Sequence, residues 1–281
     1  MASVDPVTPP GFVSDDGMGL LERLRAAELE SVRSMFAAGA KVLEIGGGSG
    51  FQAKILSSWG CLVTSLDICG RPHRRKQFFQ VLDYDGVNLP FEDASFDIVF
   101  SSNVMEHARN LRALIRESSR VLVPGGRAIH IVPTSGWRIW TTLGHYPYLV
   151  KYLFGKRDIA SAEIIPDASD ILRRRGLNHL MKRIIAAGPH GECTSAAREV
   201  LLYRRKEWVR AFESAGLTLQ TVVSTNLFYT GYALFPSLTV RTRRRLAKIM
   251  GSSCFAYILK AECPVQNGTS GLSIEDNRIC A

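Results

Sequence analysis

The chain has 281 residues, of which 46% are hydrophobic and 22% are charged. It is long enough to bury one sizeable core, because folded chains of about 300 residues hide roughly 75% of their unfolded surface. No stretch reaches the ~18 consecutive apolar residues of a membrane span. The six cysteines form no C-x-x-C pair and no metal-ligand spacing, and no secretory signal opens the chain. We therefore expect a cytoplasmic protein with reduced thiols, no transmembrane segment and no metal site.

The excess positive charge is confined to the second part of the sequence. The formal net charge is +9. Residues 1–133 contain 14 Lys+Arg and 15 Asp+Glu, a net of −1, which leaves 21 and 11, a net of +10, for residues 134–281. If the second part holds the substrate region, the charge predicts an acidic substrate or acidic surroundings. A basic surface that is merely solvated would give the same count.

The first part alternates between strand and helix patterns. After a proline-containing arm over 1–16, strands are predicted at 41–45, 61–66, 77–82, 96–101 and 127–132, and helices at 18–36, 49–58 and 111–122. This order is typical of an α/β fold with a doubly wound parallel sheet, whose ligands bind at the carboxyl ends of the strands.

The second part contains two insertions. About sixty residues over 134–195 interrupt the alternation, and a segment of this length inside a compact domain usually serves as a lid or binding element. A basic and aromatic insertion follows over 226–250. The remaining predicted elements are a helix at 196–215, strands at 217–224 and 256–261, and a flexible tail at 264–281. We expect a single domain over 17–263.

The stretch VLEIGGGSG at 42–50 predicts a strand, a glycine turn and the start of a helix, an arrangement that aims helix N-terminal amides at a ligand. Phe51 removes the third glycine of the dinucleotide fingerprint G-x-G-x-x-G, which disfavours a nicotinamide enzyme. Glu44 disfavours a pyrophosphate at the loop and suits a ligand that carries positive charge. Asp67 ends the second strand, where an acid can accept hydrogen bonds from ribose hydroxyls.

Four ordered motifs, VLEIGGGSG, SLDI, LPFEDASFDIVFSSNVMEH and RVLVPGGRAI, make residues 40–133 similar to the class I S-adenosylmethionine-dependent methyltransferases. The resemblance implies a Rossmann-like sheet of seven strands, mostly parallel with an antiparallel last strand, and S-adenosyl-L-methionine as the cofactor. By position it places Gly46, Gly48 and Gly50 around the methionine part of the cofactor and Asp67 on the ribose, with Glu44 supporting the loop through water.

The same resemblance places Asp83 or Asp85 opposite the adenine amino group, and leaves open which of the two acids is used. Ile68 would pack on the adenine ring, and Asn103 would lie beside the methionine moiety. Solvated turn residues are the structural alternative for Asp83 and Asp85.

The chemistry needs few protein groups, because a sulfonium methyl is already activated and positioning supplies much of the rate. An oxygen nucleophile must also lose a proton, and histidines are the natural bases. The candidates are His107 in MEH and His190 in PHGE, where Glu192 could fix the imidazole tautomer. A structural turn is the alternative for PHGE. His130, inside an apolar strand, is expected to be a core residue.

The second part also suggests the acceptor. Aromatic side chains that could cap the cofactor or form a satellite core occur at Trp137, Trp140, Tyr146 and Tyr148, and arginines cluster at Arg173–Arg175, Arg241 and Arg243–Arg245. An aromatic stretch joined to arginines fits an anionic membrane surface. We expect O-methylation of a small-molecule or glycan-type acceptor, anionic or lipid-linked. The alternatives are a non-catalytic cofactor-binding regulatory partner and, more distantly, an RNA-directed or nicotinamide-linked enzyme.

Overall fold

A seven-stranded mixed sheet organises the part of the chain that the computed structural model describes, which is residues 19–68, 77–154, 188–191, 195–231 and 234–261. The strands are β1 (Lys41–Ile45), β2 (Leu62–Ile68), β3 (Val81–Tyr84), β4 (Phe96–Ser102), β5 (Leu122–Pro133), β6 (Leu217–Ser224) and β7 (Cys254–Ala261). Their order is β3-β2-β1-β4-β5-β7-β6, and β7 runs antiparallel to both β5 and β6, whereas the other neighbours are parallel. The expected doubly wound sheet with an antiparallel last strand is confirmed.

The helices of the described ranges are α1 (Leu20–Glu30), α2 (Phe51–Ser58), α3 (Leu111–Arg120), α4 (Ser135–Phe154), α5 (Ala196–Leu202), α6 (Arg205–Glu213) and α7 (Val240–Met250), with 3₁₀ turns at Arg33–Met35 and Met105–His107. Within these ranges, no helix combines the length and the apolar character needed to span a membrane. The arm at 1–16 and the tail at 264–281 lie outside the described residues.

The sheet has its switch point beside β1. This strand pairs with β2 on one side and with β4 on the other, so that Glu44 lies opposite Ser65 and Phe100. In open α/β sheets, ligands bind in the crevice outside the carboxyl ends of the strands where the strand order reverses. The carboxyl ends of β1, β2 and β4 therefore mark the place where a functional site is expected.

Two predicted elements differ from the structure. The strand predicted at 77–82 begins only at Val81, because the preceding residues cross over the glycine loop and the amide of Phe78 donates to the carbonyl of Ser49 at 2.8 Å instead of to a neighbouring strand. The helix predicted at 196–215 is divided into α5 and α6, since Arg204 adopts an extended conformation between them with ψ of 142°.

The insertion at 226–250 ends in α7. This helix could not be recognised in the sequence, because its basic residues obscure the helical spacing of its apolar residues. Thr239 caps this helix by accepting a hydrogen bond from the amide of Thr242 at 3.2 Å. Arg243 is 3% exposed, unlike the exposed Arg244 beside it. The Arg243 guanidinium donates to three backbone carbonyls, those of Phe235 at 2.8 Å, Leu238 at 3.3 Å and Phe228 at 3.4 Å. One member of the predicted arginine cluster is therefore a structural residue.

Replacing Arg243 by alanine should lower the free energy of unfolding by about 2 kcal/mol or more, because a hydrogen bond to a charged group contributes about 1.5–3 kcal/mol and three carbonyls would lose their donor. Arg244→Ala is the matched control on the same helix, and it should change the free energy by less than about 0.5 kcal/mol. Urea denaturation of both variants measures the difference. Equal effects would show that Arg243 does not fix the insertion.

Candidate functional site

The glycine loop between β1 and α2 is held against the end of β2. The amides of Gly46 and Gly47 both donate to the carbonyl of Leu66, at 2.8 and 2.9 Å. Gly46 has φ of +76°, and a Cβ atom added there would lie 2.2 Å from Cγ2 of Val104. Only glycine meets both conditions, since other residues rarely adopt this conformation and none is smaller.

Gly48 and Asp67 meet at the open side of this loop. The Gly48 amide donates to Oδ2 of Asp67 at 2.8 Å, and the Ile68 amide donates to Oδ1 at 2.7 Å. Gly48 has φ of +55°, yet the nearest atom to an added Cβ would be Oδ2 of Asp67 at 4.0 Å. The backbone at Gly48 therefore borders open space beside a buried carboxylate, as the binding of a ligand against the loop requires.

Gly50 ends the loop and caps α2, with φ of +75°. A Cβ atom added to Gly50 would lie 2.7 Å from the carbonyl oxygen of Phe79, so the segment before β3 packs directly on this glycine. The three glycines of the motif thus have distinct roles: Gly46 and Gly50 allow close packing, and Gly48 leaves room beside Asp67.

Glu44 lies buried beneath the loop. Its Oε2 accepts a hydrogen bond from Oγ of Ser65 at 2.5 Å, and a Cβ atom added to Gly47 would lie 2.7 Å from the same oxygen. Burial raises the pKa of the Glu44 carboxyl to about 7, against the opposing effect of the Ser65 hydrogen bond, and the nearby Asp67 raises it further. A cationic group of a ligand at the loop would be attracted by two acidic side chains, Glu44 and Asp67.

The residues expected at the adenine follow Asp67 along the edge of the sheet. Asp83 on β3 lies opposite Asp67 in the strand register. Asp85 closes its own turn, because its carboxylate accepts from the amides of Val87 at 2.8 Å and Asn88 at 2.7 Å, and these hydrogen bonds lower its pKa. Ile68 is partly exposed.

Asn103 follows β4 in a left-handed conformation with φ of +56°. Its side chain joins a buried polar network, since Nδ2 donates to Oε2 of Glu28 at 3.4 Å and Oδ1 accepts from Sγ of Cys254 at 3.5 Å. Glu28 also pairs with Arg25 at 2.6 Å and accepts a hydrogen bond from the hydroxyl of Tyr229. No local sequence pattern predicts this network, because the residues that form it come from α1, β7 and the second insertion.

A cluster of two imidazoles and one carboxylate lies beyond β4. The ring centroids of His107 and His190 are 4.7 Å apart, and Trp137 of α4 contacts the His190 ring at the same distance. Ligand-type atoms of Glu106, His107 and His190 all lie within 4.8 Å of one another. The structure thus brings together the two predicted catalytic histidines. The third candidate, Glu192, lies outside the described residues.

A buried ion pair positions the loop that carries His190. The Nε atom of Arg138 lies 2.7 Å from Oε2 of Glu199, and both side chains are almost fully buried. The other oxygen of Glu199 accepts from the amides of His190 and Gly191, each at 2.7 Å, while Arg138 donates to the carbonyl of Gly188 at 2.6 Å. Desolvation, followed by the charges of His107 and Arg138, lowers the pKa of His190.

His130 lies inside the core, as the sequence indicated. Its Nδ1 lies 2.8 Å from Oγ of Ser101, and its ring stacks on Phe212 with centroids 5.3 Å apart. Complete burial lowers its pKa to about 3, so the imidazole is neutral and structural.

Known proteins resemble the part of the chain that holds the loop. Residues 43–130 match the model of a family described as a methyltransferase domain. The chain is 31% identical over 148 residues to the biotin biosynthesis bifunctional protein BioHC of Cellvibrio japonicus, covering 49% of this chain and 30% of that protein. It is 31% identical over 159 residues to an uncharacterized methyltransferase of Mycobacterium sp. (strain KMS), covering 54% of this chain and 60% of that protein.

The matched segment contains the glycine loop, Asp67 and the turn after β4. Residues 43–130 carry a methyltransferase domain, which is similar to the class I S-adenosylmethionine-dependent type. S-adenosylmethionine is the cofactor of this domain. A solved structure of a SAM dependent methyltransferase from Aquifex aeolicus is 16% identical, with a TM-score of 0.46, and the alignment covers 86% of this chain and 95% of that one.

The chain spans between 30% and 60% of the length of these two curated relatives. Within the methyltransferase domain, the family match ends at His130 and therefore includes Glu106 and His107. It does not include Trp137, Arg138 or His190. The elements that complete the histidine cluster are thus supplied by the second part of the chain.

Replacing Glu199 by glutamine should lower the free energy of unfolding by roughly 3–5 kcal/mol, because breaking a buried pair leaves the Arg138 charge uncompensated. Glu207→Gln is the matched control: Glu207 pairs with Arg210 at 2.6 Å near the surface, and its loss should cost less than about 1 kcal/mol. Chemical denaturation followed by circular dichroism compares the two. A small effect at Glu199 would mean that the pair does not hold the His190 loop.

Proposed function

We propose that the chain transfers the methyl group of S-adenosylmethionine to an oxygen atom of a small-molecule or glycan-type acceptor. The observation that carries this proposal is the open space at Gly48, which lies beside two buried acids, Glu44 and Asp67, at the switch point of the sheet. In the reaction the bond between sulfur and the methyl carbon breaks, a bond between carbon and the acceptor oxygen forms, and S-adenosylhomocysteine leaves.

The residues around the loop fit this cofactor. Gly48 lets a ligand approach the backbone, and Gly46 and Gly50 shape the turn that makes the approach possible. Asp67 would accept hydrogen bonds from the ribose hydroxyls. The positive charges of the methionine part would stabilise the ionised form of Glu44, because a nearby cation offsets the cost of ionising a buried carboxyl group.

The cofactor would extend from Asp67 along the outer edge, with Ile68 on the adenine ring and Asp83 or Asp85 near its amino group. Asp85 could accept a hydrogen bond from the adenine amino group only through a lone pair that is not used in its own turn. Asp83 lies opposite Asp67 in the register of β2 and β3, so the two side chains are on the same face of the sheet. At the other end, Asn103 would adjoin the methionine moiety through the polar network of Glu28 and Tyr229.

The acceptor would bind on the side of β4 away from the adenine. His107 and His190 meet there, and α4 covers them with Trp137. An oxygen acceptor has a proton to lose, and this is the reason to prefer oxygen over a carbon or nitrogen acceptor. We assign the handling of that proton to the pair of histidines, with Glu192, two positions after His190 in the sequence, as a further candidate.

A non-catalytic cofactor-binding partner is the principal alternative. It would use the same glycine loop and the same acids, so cofactor affinity does not separate it from an enzyme. Formation of S-adenosylhomocysteine in the presence of an acceptor separates the two. A nicotinamide-linked or RNA-directed enzyme is a more distant alternative.

Gly48→Ala should weaken S-adenosylmethionine binding at least about tenfold, because the methyl group of the alanine would occupy the space in which the cofactor is proposed to bind. The methyl group would not clash with the protein, since the nearest protein atom would lie 4.0 Å away. Gly39→Ala is the matched control, since Gly39 has a similar φ of +81° and no atom within 4 Å of an added Cβ. Both variants bear the same conformational cost of about 1–2 kcal/mol. Calorimetric titration with the cofactor would refute the placement if the two variants bound it equally well.

The anionic or lipid-linked nature of the acceptor is a further part of the proposal. The second insertion starts beside Tyr229 in the site network and ends in α7, whose exposed cations are Arg241, Arg244, Arg245 and Lys248. Phe235 and Ile249 are exposed nearby, by 67% and 84%. Cations combined with exposed apolar side chains suit the interface of an anionic membrane.

Changing both Arg244 and Arg245 to glutamine should lower binding to vesicles that contain phosphatidylglycerol roughly thirtyfold, since each basic residue contributes about 1 kcal/mol near an anionic surface. Arg204→Gln combined with Arg205→Gln removes the same charge from an exposed position at the start of α6 and should have a smaller effect. Vesicle sedimentation provides the measurement. Equal binding to neutral and anionic vesicles would remove this part of the proposal.

A further inference from the structure

Three potential metal ligands converge from two separate segments. Glu106 and His107 lie in the 3₁₀ turn after β4, and His190 lies in the loop 188–191. The Glu106 carboxylate and the two imidazoles present ligand atoms that all lie within 4.8 Å of one another. The sequence predicted no metal site, because the histidines are far apart in the chain and a metal-ligand spacing is a local pattern.

The donor set has a recognisable chemistry. Two imidazoles and one carboxylate are the ligands of many zinc and non-haem iron sites, which leave at least one position open for a water or a substrate. Ligand atoms that share an ion at about 2.1 Å lie about 3.4 Å apart in tetrahedral geometry. The site must therefore contract slightly to bind an ion.

Glu106 supplies an independent observation. The residue is 5% exposed, and neither of its carboxylate oxygens accepts a hydrogen bond from another residue that the structure describes. Buried carboxyl groups normally have a partner, as Glu28 and Glu199 do in Arg25 and Arg138.

We propose that Glu106, His107 and His190 bind a divalent metal ion of the Zn²⁺ class beside the methyl-transfer site. The ion supplies the positive partner that Glu106 lacks. The three residues would hold the ion, and an ion with a further coordination position would be able to bind the acceptor oxygen. A hydroxyl group bound to such an ion would lose its proton more readily, so with the ion bound the two histidines would act on that proton through the ion and not as free bases.

The surroundings of the cluster support this assignment. Metal-binding histidines are usually oriented by a second layer of contacts. Here Glu199 fixes the backbone of His190 through two amides, and Trp137 packs against the imidazole ring. The role of the ion in methylation rests on the proposed function, whereas binding of the ion does not.

The test is a titration of the full chain with Zn²⁺ after treatment with a chelator, in competition with a chromophoric chelator. We expect one equivalent to bind, and we expect Glu106→Gln and His190→Ala each to weaken binding about 100-fold or more. Glu213→Gln, an exposed exchange of the same kind on α6, should leave the affinity unchanged. Thermal unfolding of each variant verifies that it is folded.

Co²⁺ in place of Zn²⁺ identifies the ligands. Nitrogen and oxygen ligands should give ligand-field bands without a thiolate charge-transfer band. A folded protein that binds no Zn²⁺, an affinity unaffected by both substitutions, or a thiolate band would each overturn the proposal. Titration of the same chelator-treated protein with S-adenosylmethionine distinguishes the two proposals, because cofactor binding without Zn²⁺ binding refutes the metal site alone, and the reverse refutes the proposed cofactor site alone.

Discussion

Four buried glutamates, Glu28, Glu44, Glu106 and Glu199, surround the carboxyl ends of β1 and β4, and the arrangement of the site depends on how all of them except Glu106 are satisfied. Glu28 pairs with Arg25, Glu199 pairs with Arg138, and Glu44 accepts a hydrogen bond from Ser65. Removing a carboxylate from water is costly unless it has such partners. Glu28 also connects α1 to Asn103 and Tyr229, and Glu199 connects α4 to the loop of His190. The contacts that satisfy these carboxylates therefore also position the elements around the site.

The methyltransferase domain and the rest of the chain contribute different parts of the site. The matched segment provides the glycine loop, Asp67, Asn103 and His107. The second part provides α4, the His190 loop and Tyr229, together with all of the excess positive charge. A cofactor shared by many enzymes would thus bind to the common part, while the choice of acceptor would belong to elements that lie beyond the family match.

The geometry of the glycine loop and of Asp67 could be predicted from the sequence because its signals are local. A strand, a glycine turn and a helix start are contiguous, and the acid that ends β2 follows at a fixed distance along the chain. The two candidates for the residue opposite the adenine amino group, Asp83 and Asp85, also lie within one short segment. The structure adds that Asp85 is engaged by its own turn.

The histidine cluster could be predicted only in part. His107 and His190 were identified one at a time as possible bases, but their proximity depends on α4 and on the pair between Arg138 and Glu199, which no local pattern reveals. Glu106 was overlooked beside His107 because its significance lies in its burial. The basic helix α7 was missed for a related reason, since Arg243 is charged and yet buried through hydrogen bonds to three carbonyls.

The most direct test of the central claim is a calorimetric titration of the purified protein with S-adenosylmethionine, S-adenosylhomocysteine and NAD in parallel. The account predicts that both adenosyl ligands bind at micromolar concentration and that NAD produces no binding heat, because Glu44 and Phe51 oppose a dinucleotide at the loop. A folded protein that binds neither adenosyl ligand would contradict the account, as the open space at Gly48 would then serve another purpose.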